Sequence, residues 1–445
     1  MPDITCPFCG LLCDDLRIAV ANGRARIEAG GCPRSERLFD APSDGQARVG
    51  GQVVDADAAC RAAARILAAA RRPLIGGLAC DVTGQRAAIA LAEQVGGVLD
   101  HMNGRAQFRN ILAFQDGGWM TTTLSEVRNR TDLVLLAGTD AAAFPRFFER
   151  LLAGESQFGE PRRRLIALLP ALPSPPLSAK AELAVPPAQE KRPSRRPWGP
   201  SRCWDGPANN LSGVDLAIPC PRERLGELFA ALRARLAGKR LDAADVAGVP
   251  IAQLDELLDA LRTARYGVLV WNAAELDFPQ ADLTVQAMVD LVKDLNRDTR
   301  WSGLPLGGND GDTCAAQVCT WQTGYPLRTA YTAGGPHYDP LRYGTDSLLA
   351  SGEVDALVWI SAFDPERKPP ACAQPAIVLG RADMAFATPP DVFIPVAVPG
   401  VQQIGFLHRM DGVVALPLAA PVASGLPGVA QVLAMIRKEL NHAAA

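Results

Sequence analysis

The chain has 445 residues, 48% of them hydrophobic, and its 45 Lys and Arg nearly balance 48 Asp and Glu, leaving a formal net charge of -3. Such a chain buries a sizeable core divided over roughly two to four structural units, and its even charge leaves no electrostatic footprint for nucleic acid or an anionic membrane. The opening MPDITCPFCG has neither the basic stretch nor the apolar run of a signal peptide, and no run of about 18 apolar residues is present to span a bilayer, so a cytoplasmic location without a membrane partner is expected.

In chain order, residues 1–50 read as a small cysteine-containing β lobe, in which Asp15 to Val20 and Arg24 to Glu28 alternate as strands and Gly23 turns the hairpin. Helix and strand signals then alternate over 51–185. A helical Ala/Arg stretch precedes the strand PLIGGL and the helix TGQRAAIALAEQVG, and a strand ends near Asp100. A helix around Leu124 to Asn129, the apolar strand DLVLLAG, the helical FPRFFERLL and the strand RLIALLP close a first α/β unit. Residues 186–215 are rich in Pro and Arg and hold Trp198 and Trp204. They read as an irregular insertion or a linker. A second α/β unit over 216–370 opens with the helices RERLGELFAALRARLAG and Ile251 to Arg262. It continues through the strand YGVLVWN, the helix TVQAMVDLVKDLNRD, a helix near Asp346 to Ala350 and the strand ALVWISA. Residues 371–445, with the strand PAIVLG, complete the core. The fold class expected is α/β, with tandem doubly wound parallel-sheet units and a small N-terminal cysteine-containing β lobe.

Cys6, Cys9, Cys13 and Cys32 form C-x2-C-x3-C-x18-C. Three thiols on one short loop and a fourth beyond it can supply four soft ligands to one centre, either a [4Fe-4S] cluster or a structural zinc. Four free thiols in an emptied site are the other reading. The remaining cysteines have no ligand spacing and read as small buried hydrophobes. Only His101, His337, His408 and His442 exist, none in HxH or HExxH spacing, which excludes a histidine-rich hydrolytic zinc site built from this chain alone. Gly76 and Gly77 after a strand suggest a phosphate turn, yet the full GxGxxG is missing and an NAD site is not expected.

CPFCGLLCDDLRI followed by GGCP resembles the start of the tungsten- or molybdenum-containing B subunit of formylmethanofuran dehydrogenase, in the molybdopterin oxidoreductase superfamily. GGLACDVTGQRAAIALAEQVGGVLD, LSEVRNRTDLVLLAG, FPRFFERLL, VKDLNRDT, QVCTWQTGYP, LASGEVDALVWIS and HRMDGV look like later segments of that protein in the same order, so the resemblance covers most of the chain outside the proline-rich insertion. It implies a pterin-bound metal held by a Cys or selenocysteine that a His follows. In DHMNGRAQFRNILAFQDGG those positions fall on Ala106 and Gln107, and an Arg-Gly-His run of the family falls on Gly307, Gly308 and Asn309. An alanine methyl cannot coordinate tungsten or molybdenum. No tungsten or molybdenum pterin is therefore expected, and no catalytic or pterin-binding residue is assigned.

The resemblance runs most closely to the branch found in the formyltransferase/hydrolase complex of methylotrophic bacteria, which moves a formyl group from tetrahydromethanopterin to a furan carrier and releases it as formate. What this implies is a non-catalytic scaffold in that complex. Its partners would be an amidohydrolase-like A subunit, the C subunit and a formyltransferase D subunit. The alternative is a redox-active tungsto- or molybdopterin B subunit with an unusual ligand set. His101 reads as a surface or loop residue without a catalytic partner, His337 as ordinary packing in a Gly- and Pro-rich loop, and His408, Arg409 and Asp411 as residues kept for folding. Asp14 and Asp15 read as loop residues bonded to backbone amides.

Overall fold

The computed structural model describes residues 3–21, 23–153, 163–170 and 214–444. The insertion with Trp198 and Trp204 lies outside the described residues. Two compact units are present, one made of Met1–Arg105 with Gly307–Ala445 and the other of Ala106–Leu306.

The contiguous unit is built on an all-parallel five-stranded sheet in the order Trp301–Leu306, Gly267–Asn272, Leu133–Ala137, Arg164–Leu169, Leu216–Pro219. LVLLA and GVLVWN are continuous apolar runs because helices cover both faces of a parallel sheet, and every residue of both strands is buried. Helices Leu225–Leu236, Ile251–Arg262 and Ala281–Leu295 supply leucines and valines to the same core. Two tryptophans sit at its centre. Trp271 Nε1 donates to Asn110 Oδ1 at 2.8 Å and Trp301 Nε1 to the Leu261 carbonyl at 3.1 Å, which satisfies their only polar atoms.

The discontinuous unit holds a nine-stranded sheet in the order Gly335–Tyr338, Thr329–Thr332, Val98–Leu99, Pro73–Ala79, Ala356–Ser361, Ala376–Gly380, Val392–Pro395, Ala47–Val49, Gln52–Val54. Its five central strands are parallel and both margins antiparallel. Helices Ala56–Ala69 and Val82–Val95 pack on helix Val429–Ala444. Asp81 starts the second of these by accepting from the amides of Thr83 and Gly84. The N-terminal hairpin Arg17–Ala21/Arg24–Ala29 forms as the alternation indicates, with Gly23 at φ +73°.

This is the α/β class with parallel sheets and a small cysteine-bearing β region. The units are interleaved in sequence, however, where a tandem order of 51–185 and 216–370 was expected. Pro73–Ala79 pairs with Ala356–Ser361, while Leu133–Ala137 pairs with Gly267–Asn272. Apolar runs identify buried parallel strands but carry no label for their partner, and chain order is here a poor guide to sheet order. Gly76 and Gly77 also lie within strand Pro73–Ala79 and not after it. A Cβ on Gly77 would stand 2.5 Å from the Ile360 carbonyl oxygen, so its glycine serves strand pairing and not a phosphate turn. No helix among the described residues is long and apolar enough to cross a membrane.

Candidate functional site

The cysteine loop is a tight reversal. Cys6 N–H donates to the Cys13 carbonyl at 2.8 Å and Leu12 N–H to the Cys9 carbonyl at 3.0 Å, with Leu12 at φ +43°. Cys32 caps helix Pro33–Phe39, where Ser35 Oγ accepts from its backbone N–H at 2.8 Å and donates toward its Sγ at 3.5 Å. Cys6, Cys9 and Cys13 are buried. Burial, and then the charges of Cys9 and Cys13 with a smaller contribution from Cys32, push the Cys6 thiol well above its usual range, so the four sulfurs lie in one another's field. Their donor chemistry fits a soft metal. Yet among the described residues no three His, Cys, Asp or Glu side chains are grouped so as to hold a metal ion, so this arrangement is not a formed ligand cage. Asp14 is exposed and Asp15 half-buried at the end of the loop.

The loop rests on the turn Gly307–Asp312, where the family's Arg-Gly-His run would fall. Met410 N–H donates to the Gly10 carbonyl at 2.9 Å, and a Cβ on Gly308 would come within 2.6 Å of the Gly10 Cα. Gly308, Asp310 and Gly311 all have positive φ, at +81°, +56° and +75°. Asp310 holds a conformation that side chains other than glycine seldom adopt, and its surroundings have to pin it. They do so through Asn103, whose Nδ2 donates to the Asn309 carbonyl at 2.9 Å and lies 3.4 Å from Asp310 Oδ2 and 3.3 Å from Asp312 Oδ2. Arg367 adds an ion pair to Asp310 at 3.1 Å and donates to Asn103 Oδ1. Asp312 Oδ1 accepts from Gly308 N–H at 2.7 Å. Burial, opposed by these hydrogen bonds and reinforced by Asp310, lifts the Asp312 carboxyl to about 6.

His101 belongs to this network. It is 1% exposed, which corrects the surface reading. Its Nδ1 accepts from Asn103 N–H at 2.9 Å, which leaves Nε2 as the donor to the Asp310 carbonyl at 3.2 Å. Burial, with Arg367 nearby, drops its pKa to about 3, so the ring is a neutral clamp with both nitrogens committed and no base to offer. His337 lies on strand Gly335–Tyr338 and not in a loop, with Nδ1 3.1 Å from the Tyr343 hydroxyl. His408 ends strand Gly405–His408, and beyond it Arg409 and Asp411 pair at 2.6 Å as a turn clasp. Asn309 has its side-chain oxygen buried without a hydrogen-bond partner.

Beside the clamp opens a cavity of about 560 Å³, bordered by Asp100, His101, Arg105, Arg328, Thr345, Arg367 and Lys368. It sits beyond the carboxyl ends of strands Val98–Leu99 and Ala356–Ser361, the side of an open α/β sheet on which ligands bind. Asp100 is sealed at its floor, accepting from Thr345 N–H at 2.7 Å and Thr345 Oγ1 at 2.8 Å with Arg328 3.6 Å away. Sequence reasoning passed over Asn103, Asp310, Asp312, Arg328 and Arg367. The run Gly307-Gly308-Asn309-Asp310-Gly311 was the one available signal, since Asn, Asp and Gly are the residues that accept positive φ.

Ala106 and Gln107 lie in the first turn of helix Gly104–Gly117. No thiol or selenol and no imidazole is present at these two positions.

No family model matches the chain. It is 24% identical to the B subunit of tungsten-containing formylmethanofuran dehydrogenase 2 of Methanococcus maripaludis, over 99% of this chain and 98% of that protein. The corresponding B subunit of tungsten-containing formylmethanofuran dehydrogenase 2 of Methanocaldococcus jannaschii is 28% identical over 92% and 91%. The B subunit of the formyltransferase/hydrolase complex Fhc of Methylorubrum extorquens is 29% identical over 80% and 86%. Among solved structures, a chain of the formyltransferase/hydrolase complex FhcABCD of Methylorubrum extorquens with methylofuran superposes with a TM-score of 0.69 and 26% identity, covering 89% of this chain and 99% of that one. Agreement in sequence along nearly the whole length and in fold makes this chain a homologue of the B subunits of formylmethanofuran dehydrogenase and of the formyltransferase/hydrolase complex.

Proposed function

We propose that the chain is the B subunit of a formyltransferase/hydrolase complex, acting as a non-catalytic scaffold while partner subunits convert formyl-tetrahydromethanopterin to formate. What supports this reading is Ala106, which the resemblance of DHMNGRAQFRNILAFQDGG to the family sets where the metal ligand would stand. The neighbouring groups agree with it, since on the same resemblance Gln107 replaces the histidine, and His101, the nearest imidazole in sequence, is kept neutral by burial with its two ring nitrogens bonded to Asn103 and Asp310. On this reading an amidohydrolase-like A subunit, the C subunit and a formyltransferase D subunit supply the chemistry. The four cysteines, which form no ligand cage among the described residues, would on this reading have to draw together around a structural zinc or a [4Fe-4S] cluster that steadies the N-terminal lobe and carries no electrons in turnover.

A redox-active alternative draws support from the two tungsten-containing relatives. Purification of the native complex, with tungsten, molybdenum and pterin measured alongside its protein composition, separates the two. Stoichiometric tungsten or molybdenum overturns the scaffold reading, and so does formyl hydrolase or dehydrogenase activity in the pure single chain. Their absence from an assembled, active complex supports it.

A further inference from the structure

We propose that the outer face of the hairpin Gly405–His408/Ala415–Leu418, together with Trp321, is the surface through which this chain docks a different protein chain by an apolar, uncharged contact. The proposal rests on the reading of the chain as one component of a hetero-oligomeric complex. It comes from a pattern that a solvent-facing ribbon does not show. In an antiparallel pair with one wet face, outward positions are polar. Here Gly405 and Leu407 point inward and are buried, while Phe406 faces outward at 51% exposed, next to Ile404 at 72%. Across the ribbon, Phe406 pairs with Pro417 and His408 with Ala415, so the outer face has no charged residue. Trp321 of helix Asp312–Thr323, 63% exposed, sets its ring edge-on to His408 at 6.2 Å, and Val413 at the hairpin tip adds a further exposed side chain. The charges that follow in the hairpin turn, Arg409 and Asp411, pair with each other at 2.6 Å with side chains only 18% and 0% exposed.

The platform is held rigid from below. Met410 N–H bonds the Gly10 carbonyl of the cysteine loop, Gln317 Nε2 bonds the Gly412 carbonyl at 3.1 Å, and a Cβ on Gly405 would lie 2.7 Å from Asp81 Oδ2. A fixed cluster of aromatic and aliphatic groups loses little entropy on binding and has the composition of an interface centre. Without a charge on its outer ribbon, it selects a partner of the same character and gives no purchase to a charged one. The occupant we assign is a different protein and not a second copy, because the solved relative of this fold works in an assembly of several distinct chains.

The test co-expresses the full-length chain with the A, C and D subunit relatives of the same organism and measures assembly by size-exclusion chromatography with light scattering. Phe406→Glu and Trp321→Glu are compared with Leu341→Glu, a leucine at least as exposed on another turn of the chain. The expected result is at least about tenfold weaker assembly for the two hairpin-face variants and none for the control, with melting temperatures of the isolated chains unchanged. Should Phe406→Glu unfold the hairpin, Ile404→Lys carries the test. Unchanged assembly of the face variants overturns the proposal. So does a homodimer of the wild-type chain that Phe406→Glu splits, since the occupant would then be a second copy. A wild-type chain that assembles with none of the three removes the complex reading itself, and this proposal with it.

Discussion

Gly10 and Gly308 meet backbone to backbone, so close that a Cβ on Gly308 would stand 2.6 Å from the Gly10 Cα. Gly308 also sits at φ +81°. Gly308→Ala therefore adds a clash against main chain to a strained dihedral, with no flexible side chain to give way. The expected cost is about 1–3 kcal/mol, read as a lower melting temperature. Faster amide exchange in residues 4–16 than in the wild type locates the damage at the cysteine loop. A melting temperature and exchange pattern equal to the wild type count against this packing.

His101 and Asp312 bias stability against pH in opposite directions. A buried neutral histidine, with its pKa dropped to about 3, contributes stability that is complete above its unfolded value and lost as pH falls toward 3. Asp312, raised to about 6, does the reverse: its contribution is complete below the unfolded carboxyl value and lost as pH rises through 6. Between about pH 4 and 6 the two slopes oppose each other. Asp312→Asn should steepen the loss of stability on acidification across that window, and His101→Gln should flatten or invert it, each by up to a few kcal/mol, on the order of 1.4 per pH unit. Denaturant melts of both variants and the wild type at pH 4, 5 and 6 check this; parallel curves for all three contradict it.

Cys9→Ser removes one of three thiols presented by the loop. If the proposed structural metal is present, the variant should lose it and melt several degrees lower. Turnover of the complex that still assembles should be nearly unchanged, because on the scaffold reading no step runs through this site. An iron-sulfur absorption band that disappears in Cys9→Ser identifies a cluster, and stoichiometric zinc in a colourless protein identifies the swap. Wild-type protein free of metal, with four reactive thiols, defeats the prediction.

Ala106→Cys restores a thiol at the family's ligand position. On the scaffold reading the change should bring neither tungsten nor molybdenum nor dehydrogenase activity, since Gln107 and Asn309 still offer no imidazole beside it. Metal analysis of the variant complex gives the answer, and uptake of tungsten would mean that the pterin site survives.

The parallel strands were legible because buried runs such as LVLLA and GVLVWN have few other readings, and the hairpin turn at Gly23 followed from one glycine at φ +73°. The interleaving of the units was not legible, because the partners Pro73–Ala79 and Ala356–Ser361 lie far apart in the chain and either would fit any parallel neighbour. At the site, the cysteine spacing stood in the sequence. The burial of His101 did not, since a histidine between Asp100 and Met102 bears no mark of the Asp310 carbonyl that holds it. Asn103, Asp310 and Asp312 come together through a turn some two hundred residues from the helix it meets, and only the fold supplies that adjacency.

Strand Ala356–Ser361 lies at the centre of the larger sheet and is hydrogen-bonded to Pro73–Ala79 on one side and Ala376–Gly380 on the other. Synthesis from the N-terminus therefore leaves Pro73–Ala79 waiting without its neighbour while Ala106–Leu306 is made, and that contiguous stretch has all five of its own strands before the ribosome reaches residue 356. The contiguous unit can close first, at the usual pace of translation. The discontinuous unit meanwhile presents an apolar half-sheet to the cell, a window in which chaperones or an early-binding neighbour would find a strand edge to cover.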